Sequence, residues 1–210
     1  MARNETARPL DWTKVLSNEG RLTDVVLVDA IAAKYRLPLP SVWKALSRLA
    51  DRGLLSRVAK GIYVNRLVRD SAAEDFINLL RPNSYVSLES ALRHWGLSTQ
   101  SSVALTCVTT GKPKEYRAPE FTITFRTISK RLYWGFIEKQ TRYSKYPIAE
   151  PEKALLDWIY LTLQAGLKPN LDEIELKSIN KRKLSKYASK YPGTVRNTLM
   201  HSLAFEHFAA

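Results

Sequence analysis

The chain has 210 residues, of which 45% are hydrophobic and 25% charged, a composition typical of a globular protein and unlike that of a disordered chain. Its net charge of +13 favours a polyanionic partner, either nucleic acid or an anionic membrane surface, although a basic surface without such a partner would have the same composition. Residues 1–70 contain 13 Lys and Arg against 7 Asp and Glu, whereas residues 71–210 contain 20 against 13. The first third therefore carries the higher positive charge per residue.

Cysteine content and hydropathy predict a cytoplasmic protein. The single cysteine, Cys107, excludes an intrachain disulfide and suits a reducing compartment. The sequence contains no apolar run of the roughly 18–20 residues that span a bilayer, and its first residues lack the apolar centre of a secretory signal. We therefore expect no membrane partner.

Apolar residues at helical spacing predict three helices near the start of the chain, over residues 11–18, 25–35 and 40–52. Thr23 or Asp24 can cap the second of these helices. Pro40 suits the first turn of the third helix, and Gly53 suits its C-terminal end. The third helix would bury one apolar stripe and leave the opposite face polar.

After Gly53 the apolar period changes from 3.6 to 2, which predicts strands over residues 54–58 and 62–64. Gly61 is available for the positive φ angle of the tight turn between them. Three helices followed by a two-stranded hairpin predict a winged helix-turn-helix domain over residues 1–70. In a helix-turn-helix, the second helix of the motif enters the major groove of duplex DNA.

That geometry identifies candidate DNA-binding residues on the third helix and the hairpin. Side chains on the polar face of the helix are candidates for base or phosphate contact, and hairpin cations would meet the adjacent backbone. The six candidates are Ser41, Lys44, Ser47, Arg48, Arg57 and Lys60. Runs of charge are more often solvated surfaces than binding sites. The prediction of DNA binding therefore depends on the order of the helices and hairpin together with the local positive charge.

Residues 71–210 predict a mixed α+β domain with a helical C-terminal end. Helices are expected over residues 72–80, 88–95, 150–164, 171–179, 180–190 and 193–208, and strands over residues 103–109, 121–128, 133–140 and 143–148. A second basic stretch lies near the end, and its candidate residues are Lys181, Arg182, Lys183 and Lys186. This stretch could extend a DNA contact, bind a partner that carries RNA, or be a solubilising surface helix.

The sequence gives little sign of catalysis, and we expect no enzyme activity, cofactor or metal. The three histidines lack metal-ligand spacing with Cys107, and no glycine-rich phosphate loop is present. Cys107 lies in an apolar run where a buried, unreactive thiol is the ordinary case. The acids Glu150, Glu152 and Asp157 surround a predicted helix start, where carboxylates stabilise the helix.

Three segments in order resemble the AbiEi family of antitoxins: KGIYV at residues 60–64, YVSLESALRHWGLS at residues 85–98 and YPIAEPEKALLDWIY at residues 146–160. The resemblance covers residues 25–165. Lys153 departs from it, standing where the family often has Arg or Thr, and the last 40 residues do not align.

The resemblance implies a winged-helix autorepressor that binds inverted repeats upstream of its own two-gene operon. It also implies an antitoxin that counteracts a neighbouring nucleotidyltransferase-like toxin in a type IV system, without necessarily forming a stable complex with it. The family's C-terminal region is associated with antitoxicity. On this likeness, the functional or structural core would include Ser87, Glu89, Ser90, Pro151, Glu152 and Asp157.

Two other functions fit the same sequence. A stand-alone winged-helix transcription factor could use its C-terminal domain to sense a ligand or to dimerise. A nucleic-acid-processing enzyme guided by the N-terminal domain is the less favoured alternative, because the sequence offers no catalytic cluster. Fold-level likeness does not by itself assign a function.

Overall fold

A computed structural model of the protein describes residues 10–12, 16, 25–68, 71–99 and 104–208. The chain divides into two compact units, Met1–Ser71 and Ala72–Ala210. Each unit contains a β-sheet together with helices. The expected mixed α+β class is therefore confirmed.

The described part of the first unit contains two helices and a three-stranded antiparallel sheet of order β1-β3-β2. Its elements are β1 (Val25–Leu27), α1 (Val28–Tyr35), α2 (Leu39–Asp51), β2 (Leu55–Ala59) and β3 (Ile62–Asn65). Trp12 and Leu16 are also helical, and both contact the core of this unit. The other residues of the predicted helix from Thr13 to Asn18, and the proposed caps Thr23 and Asp24, lie outside the described residues.

The prediction of one helix over residues 25–35 was wrong for its first three residues. Val25–Leu27 pairs as a strand with β3, with Val26 opposite Tyr63, and helix α1 begins only at Val28. A run of three apolar residues satisfies helical and extended patterns alike, so pairing with a distant strand decides its conformation. The expected two-stranded hairpin is consequently part of a three-stranded sheet.

The turn and end signals around α2 are confirmed. Pro40 lies in the first turn of the helix, where its missing N–H costs no hydrogen bond. Gly53 follows the last turn with φ of 74°, the left-handed conformation that glycine adopts without a steric penalty. Between α1 and α2 the chain reverses through Arg36, which has φ of 52°.

The second unit is built on a six-stranded mixed sheet of order β6-β7-β5-β4-β9-β8. Its strands are β4 (Ser84–Val86), β5 (Ala104–Thr109), β6 (Lys114–Arg117), β7 (Thr122–Thr127), β8 (Phe136–Gln140) and β9 (Lys145–Ala149). The pairs β5–β7 and β4–β9 are parallel, and the other neighbouring pairs are antiparallel.

The α-helices of the second unit are α3 (Ile77–Leu80), α4 (Leu88–His94), α5 (Pro151–Gln164), α6 (Lys181–Ala188) and α7 (Gly193–Phe208). Short 3₁₀ segments cover Ala73–Phe76, Lys130–Leu132, Leu171–Glu173 and Leu176–Ser178. Among the helices described, none has the length and apolar character needed to cross a bilayer. Helix α5 is buried along most of its length and forms the centre of this unit.

The main differences from the sequence-based expectations concern short or polar elements. Strands β4 and β6 were not among the predicted strands. Strand β4 has only three residues, and edge strand β6 reads Lys-Glu-Tyr-Arg, so neither shows an apolar pattern. The stretch predicted as a helix over residues 171–179 consists of two separate 3₁₀ turns. The strand predicted from residue 133 begins at Phe136. Cys107 is completely buried in β5, as expected, and its burial raises the pKa of the thiol.

Candidate nucleic-acid interface

Helix α2 has one buried face and one exposed face. Val42, Leu46 and Leu49 enter the core of the first unit, because residues three and four apart share one side of a helix. All four candidate side chains of this helix are exposed: Ser41, Lys44, Ser47 and Arg48. The polar face predicted for α2 is therefore open to solvent within its unit.

Trp43 connects α2 to the turn between β2 and β3. A Cβ atom placed on Gly61 would lie 3.6 Å from the Trp43 ring, and Gly61 itself has φ of 78°. The Gly61 carbonyl accepts a hydrogen bond of 3.1 Å from the backbone N–H of Val28, at the start of α1. The turn that carries Lys60 is thus held beside both helices.

The two hairpin candidates, Arg57 and Lys60, are exposed. Arg57 lies opposite Tyr63 in the β2–β3 ladder, just before a register shift that ends at Ala59. Residues opposite one another in an antiparallel pair project from the same face of the sheet. Tyr63 is buried in the core whereas Arg57 is not, so the guanidinium lies where that face emerges into solvent.

The surface from residue 34 to residue 60 is strongly basic. Its single acid is Asp51, and its seven cations are Lys34, Arg36, Lys44, Arg48, Arg52, Arg57 and Lys60, all exposed. Within the described residues, the four candidate cations form no ion pair. Arg36 and Arg52 were not among the predicted site residues. Their positions in the turns before and after α2 were the signal that could have identified them.

The second basic stretch divides into exposed and paired residues. Lys181, Arg182 and Lys186 are exposed on α6. Lys183 is directed instead at the start of α5, where its Nζ lies 2.7 Å from Glu150 Oε1 and 3.3 Å from Glu152 Oε2. Tyr187 donates a hydrogen bond of 2.6 Å to the other oxygen of Glu150. Lys183 therefore joins α6 to α5 and does not belong to the exposed basic residues of α6.

The ionisation of this contact follows from its pairing. Burial lowers the pKa of Lys183, but hydrogen bonds and charge from Glu150 and Glu152 outweigh it and leave the pKa raised. For Glu150, burial raises the pKa, and the hydrogen bonds from Lys183 and Tyr187 reverse that effect, so the pKa is lowered. Both groups are held in their charged forms.

A buried lysine–aspartate pair lies at the centre of the second unit. Lys153 and Asp157 are one turn apart on α5, are fully buried, and form an ion pair. The Lys153 ammonium also donates to the hydroxyls of Tyr85 and Tyr191, over 2.9 and 2.8 Å. Asp157 accepts hydrogen bonds from both tyrosines and from Ser87. We call these five residues the buried network.

Burial dominates the pKa shifts in the buried network. It lowers the pKa of Lys153, and the charge and hydrogen bond of Asp157 oppose that effect without cancelling it. For Tyr85 and Tyr191, burial is the largest cause and the Asp157 carboxylate the next, and together they raise the pKa far above its usual range.

Gly135 packs against the aliphatic part of the Lys153 side chain. A Cβ atom at position 135 would lie 3.2 Å from two carbons of that side chain.

Several residues singled out by the family resemblance have structural contacts. Ser87 and Asp157 belong to the buried network, Pro151 begins α5, and Glu152 accepts a hydrogen bond of 3.2 Å from the Asn180 backbone. Ser90 accepts one of 2.9 Å from the Thr106 backbone. These contacts stabilise the unit. Glu89 is partly exposed in the first turn of α4, where a carboxylate stabilises the helix N-terminus.

Sequence reasoning did not connect Lys153, Tyr85 and Tyr191 to this network. The spacing of Lys153 and Asp157, four positions apart on a predicted helix, was a usable signal for their pairing. No sequence signal connected Tyr191 to the network, because it lies outside the segments that carry the resemblance and is 34 positions from Asp157.

Comparison with protein-family models and with curated proteins finds no match to this chain. In the described ranges, no group of three His, Cys, Asp or Glu side chains is placed to hold a metal ion. The geometry and charge of these surfaces are therefore the basis on which a function can be inferred.

Proposed function

We propose that the first unit is a winged helix-turn-helix domain and that the protein is a DNA-binding transcriptional regulator. The order β1, α1, α2, β2, β3, with β3 central in the sheet, supports this proposal. Helix α2 then takes the place of the recognition helix, and the β2–β3 turn takes the place of the wing. The major groove admits one α-helix and displays a readable pattern of donors and acceptors.

One observation carries the proposal: the exposed face of α2 bears two cations and two hydroxyls, and a basic turn is fixed beside it through Trp43 and Gly61. Arg48 can donate two hydrogen bonds to guanine, and Lys44 can reach a guanine or a phosphate. Ser41 lies in the first turn of α2, where the positive end of the helix dipole favours a phosphate. Arg57 and Lys60 would bind the neighbouring backbone.

The family resemblance adds a more specific role as antitoxin and autorepressor of a type IV operon. In that role, the protein would bind inverted repeats upstream of its own gene and counteract a nucleotidyltransferase-like toxin. Three ordered motifs support this, two of which include residues of the buried network: Tyr85 and Ser87 in one, and Lys153 and Asp157 in the other.

Footprinting of the full chain on the DNA upstream of its own gene tests the proposal. We expect protection of symmetric half-sites. The double variant Lys44→Ala/Arg48→Ala should lose this protection while unfolding at the wild-type denaturant concentration. Lys112→Ala/Lys114→Ala, which removes two exposed charges from the second unit, is the matched control and should protect the same sites. Equal binding by wild type and the α2 variant would refute the proposed interface.

Co-expression with a nucleotidyltransferase encoded by the adjacent gene tests the antitoxin role. We expect the full chain to restore growth, and the Lys44→Ala/Arg48→Ala variant to restore growth while failing to repress a promoter fusion. If the wild-type chain represses the promoter but never relieves growth arrest, the protein is a stand-alone regulator and the antitoxin role is wrong.

A further inference from the structure

Trp134 lies at the surface of the second unit, between the 3₁₀ segment Lys130–Leu132 and β8, and is only partly buried. Its ring and that of Tyr187 form a perpendicular contact with centroids 4.8 Å apart, and its indole N–H donates to the Arg131 carbonyl. The exposed Lys190 places its ammonium 4.2 Å from the ring centroid. The buried Lys153 ammonium also lies over the ring, 5.2 Å from the centroid, so the indole is fixed in position, and Lys190 is the exposed cation over it.

Exposed cations flank this ring on two segments. Lys130 and Arg131 lie in the 3₁₀ segment that precedes Trp134, and Lys186 and Lys190 lie at the end of α6 and just beyond it. The nearby acid Glu150 is already paired with Lys183 and Tyr187. The surface formed by Trp134 and these four cations, which we call the tryptophan surface, therefore has a net positive charge.

We propose that the tryptophan surface binds single-stranded nucleic acid, with a base stacked on Trp134 and phosphates held by the surrounding cations. Lys190 would move from the ring to a phosphate when the base arrives. Aromatic stacking beside a positively charged track is the way proteins bind single strands without strong sequence preference. This site lies within the second unit, and the proposal does not rest on the function proposed for the first unit.

A single strand fits this surface better than a duplex does. In a duplex the bases are stacked on one another, so a partly buried indole has no base face to contact. The cations are also divided between a 3₁₀ segment and the end of a helix near one aromatic ring, instead of lying along an exposed helical face such as that of α2. An acidic peptide could satisfy the charges but would gain little from the ring.

The test uses the full chain with Lys44→Ala/Arg48→Ala in the background, so that α2 contributes little. A fluorescent 12-nucleotide RNA, the same sequence as single-stranded DNA, and its duplex are titrated across a range of salt concentrations. We expect both single strands to bind within about fivefold of one another, because stacking tolerates either sugar. The duplex should bind about tenfold or more weakly.

Variants measure the contribution of base stacking to the affinity separately from that of the cations. Trp134→Ala should lower the affinity for single strands about 5- to 100-fold without changing the salt slope, and Trp134→Phe should keep most of the affinity. Lys186→Ala/Lys190→Ala should reduce the salt slope by about 1.4, the value for two phosphates on a single strand. The control Lys112→Ala/Lys114→Ala should change neither quantity.

Three results would overturn the proposal: equal affinity for single strand and duplex, affinity unchanged in folded Trp134→Ala, or complete competition by polyglutamate at the same charge concentration. Because Trp134→Ala could unfold the unit, thermal denaturation of each variant is measured in parallel. If that variant is unfolded, Trp134→Phe and the lysine pair decide the outcome. In that case, a salt slope left unchanged by Lys186→Ala/Lys190→Ala contradicts the proposed phosphate contacts.

Discussion

The two units use the same charged side chains in opposite ways. In the first unit, Lys44 and Arg48 extend from α2 into solvent without an ion pair among the described residues. In the second unit, the Lys153 ammonium is fully buried and bonded to Asp157, Tyr85 and Tyr191. An exposed, unpaired cation costs the fold little and remains available to a polyanion, whereas a buried one must have partners in the chain. The comparison separates a surface suited to binding from an interior that specifies structure.

The largest expected effect comes from breaking the buried pair. Asp157→Ala leaves a buried ammonium without its counterion and removes an acceptor from three hydroxyls, so we expect a loss of about 3–5 kcal/mol in the free energy of unfolding. Chemical denaturation measures it. The matched control is Glu138→Ala, which breaks the exposed ion pair with Lys145 and should leave stability close to the wild-type value, because solvent screens such pairs. Similar losses in the two variants would contradict the structural role of the buried network.

The next effect concerns DNA affinity instead of stability. Arg48→Ala should weaken binding at the cognate site by about 1–3 kcal/mol and relax one base preference, if the guanidinium reads a guanine. Its unfolding midpoint should stay at the wild-type value, since Arg48 is exposed. Competition binding against cognate and random DNA measures both effects. Equal losses on the two DNAs would show that Arg48 contacts only phosphate.

A smaller effect is expected at alkaline pH. The pKa values of Tyr85 and Tyr191 are raised in the folded chain, so the unfolded chain releases these protons first, near pH 10. The contribution of these two tyrosines to stability is therefore retained below pH 10 and lost above it, by on the order of 1 kcal/mol per tyrosine for each pH unit.

Lys153 opposes this trend, because its lowered pKa makes the folded chain release that proton first, below the ordinary lysine pKa. Two tyrosines outweigh one lysine, so we expect a net loss of stability. Denaturation midpoints between pH 8 and 11 measure it, and Tyr85→Phe should make the decline shallower. A midpoint that rises throughout this range would contradict the assignment.

Local signals predicted the first unit better than the second. The apolar stripe of α2, Pro40, Gly53 and Gly61 act within a few residues of where they occur, so the sequence was sufficient to place the helix, its polar face and the turn. Strand β1 could not be predicted in this way, because three apolar residues become a strand only by pairing with β3, more than 30 positions away.

The buried network was less accessible to sequence reasoning for the same physical reason. The hydrogen bonds that complete it join Asp157 to Ser87 and Tyr85, 70 and 72 positions away, and to Tyr191. Only the sheet and α5 bring these groups together. The family resemblance drew attention to Ser87 and Asp157 but assigned no partner to either, whereas the contacts of Asp157 in the structure identify all five members.

The salt dependence of DNA binding tests the central claim most directly, namely that the exposed cations of α2 and of the β2–β3 turn bind duplex DNA. If about five phosphates are neutralised, the logarithm of the binding constant should fall with a slope near −4.5 against the logarithm of salt concentration. A fourfold rise in salt would then weaken binding several hundred-fold, and Lys44→Ala/Arg48→Ala should reduce the slope by about 2 if both cations meet phosphates. A flat salt response in the wild type, or an identical slope and affinity in the variant, would contradict the account.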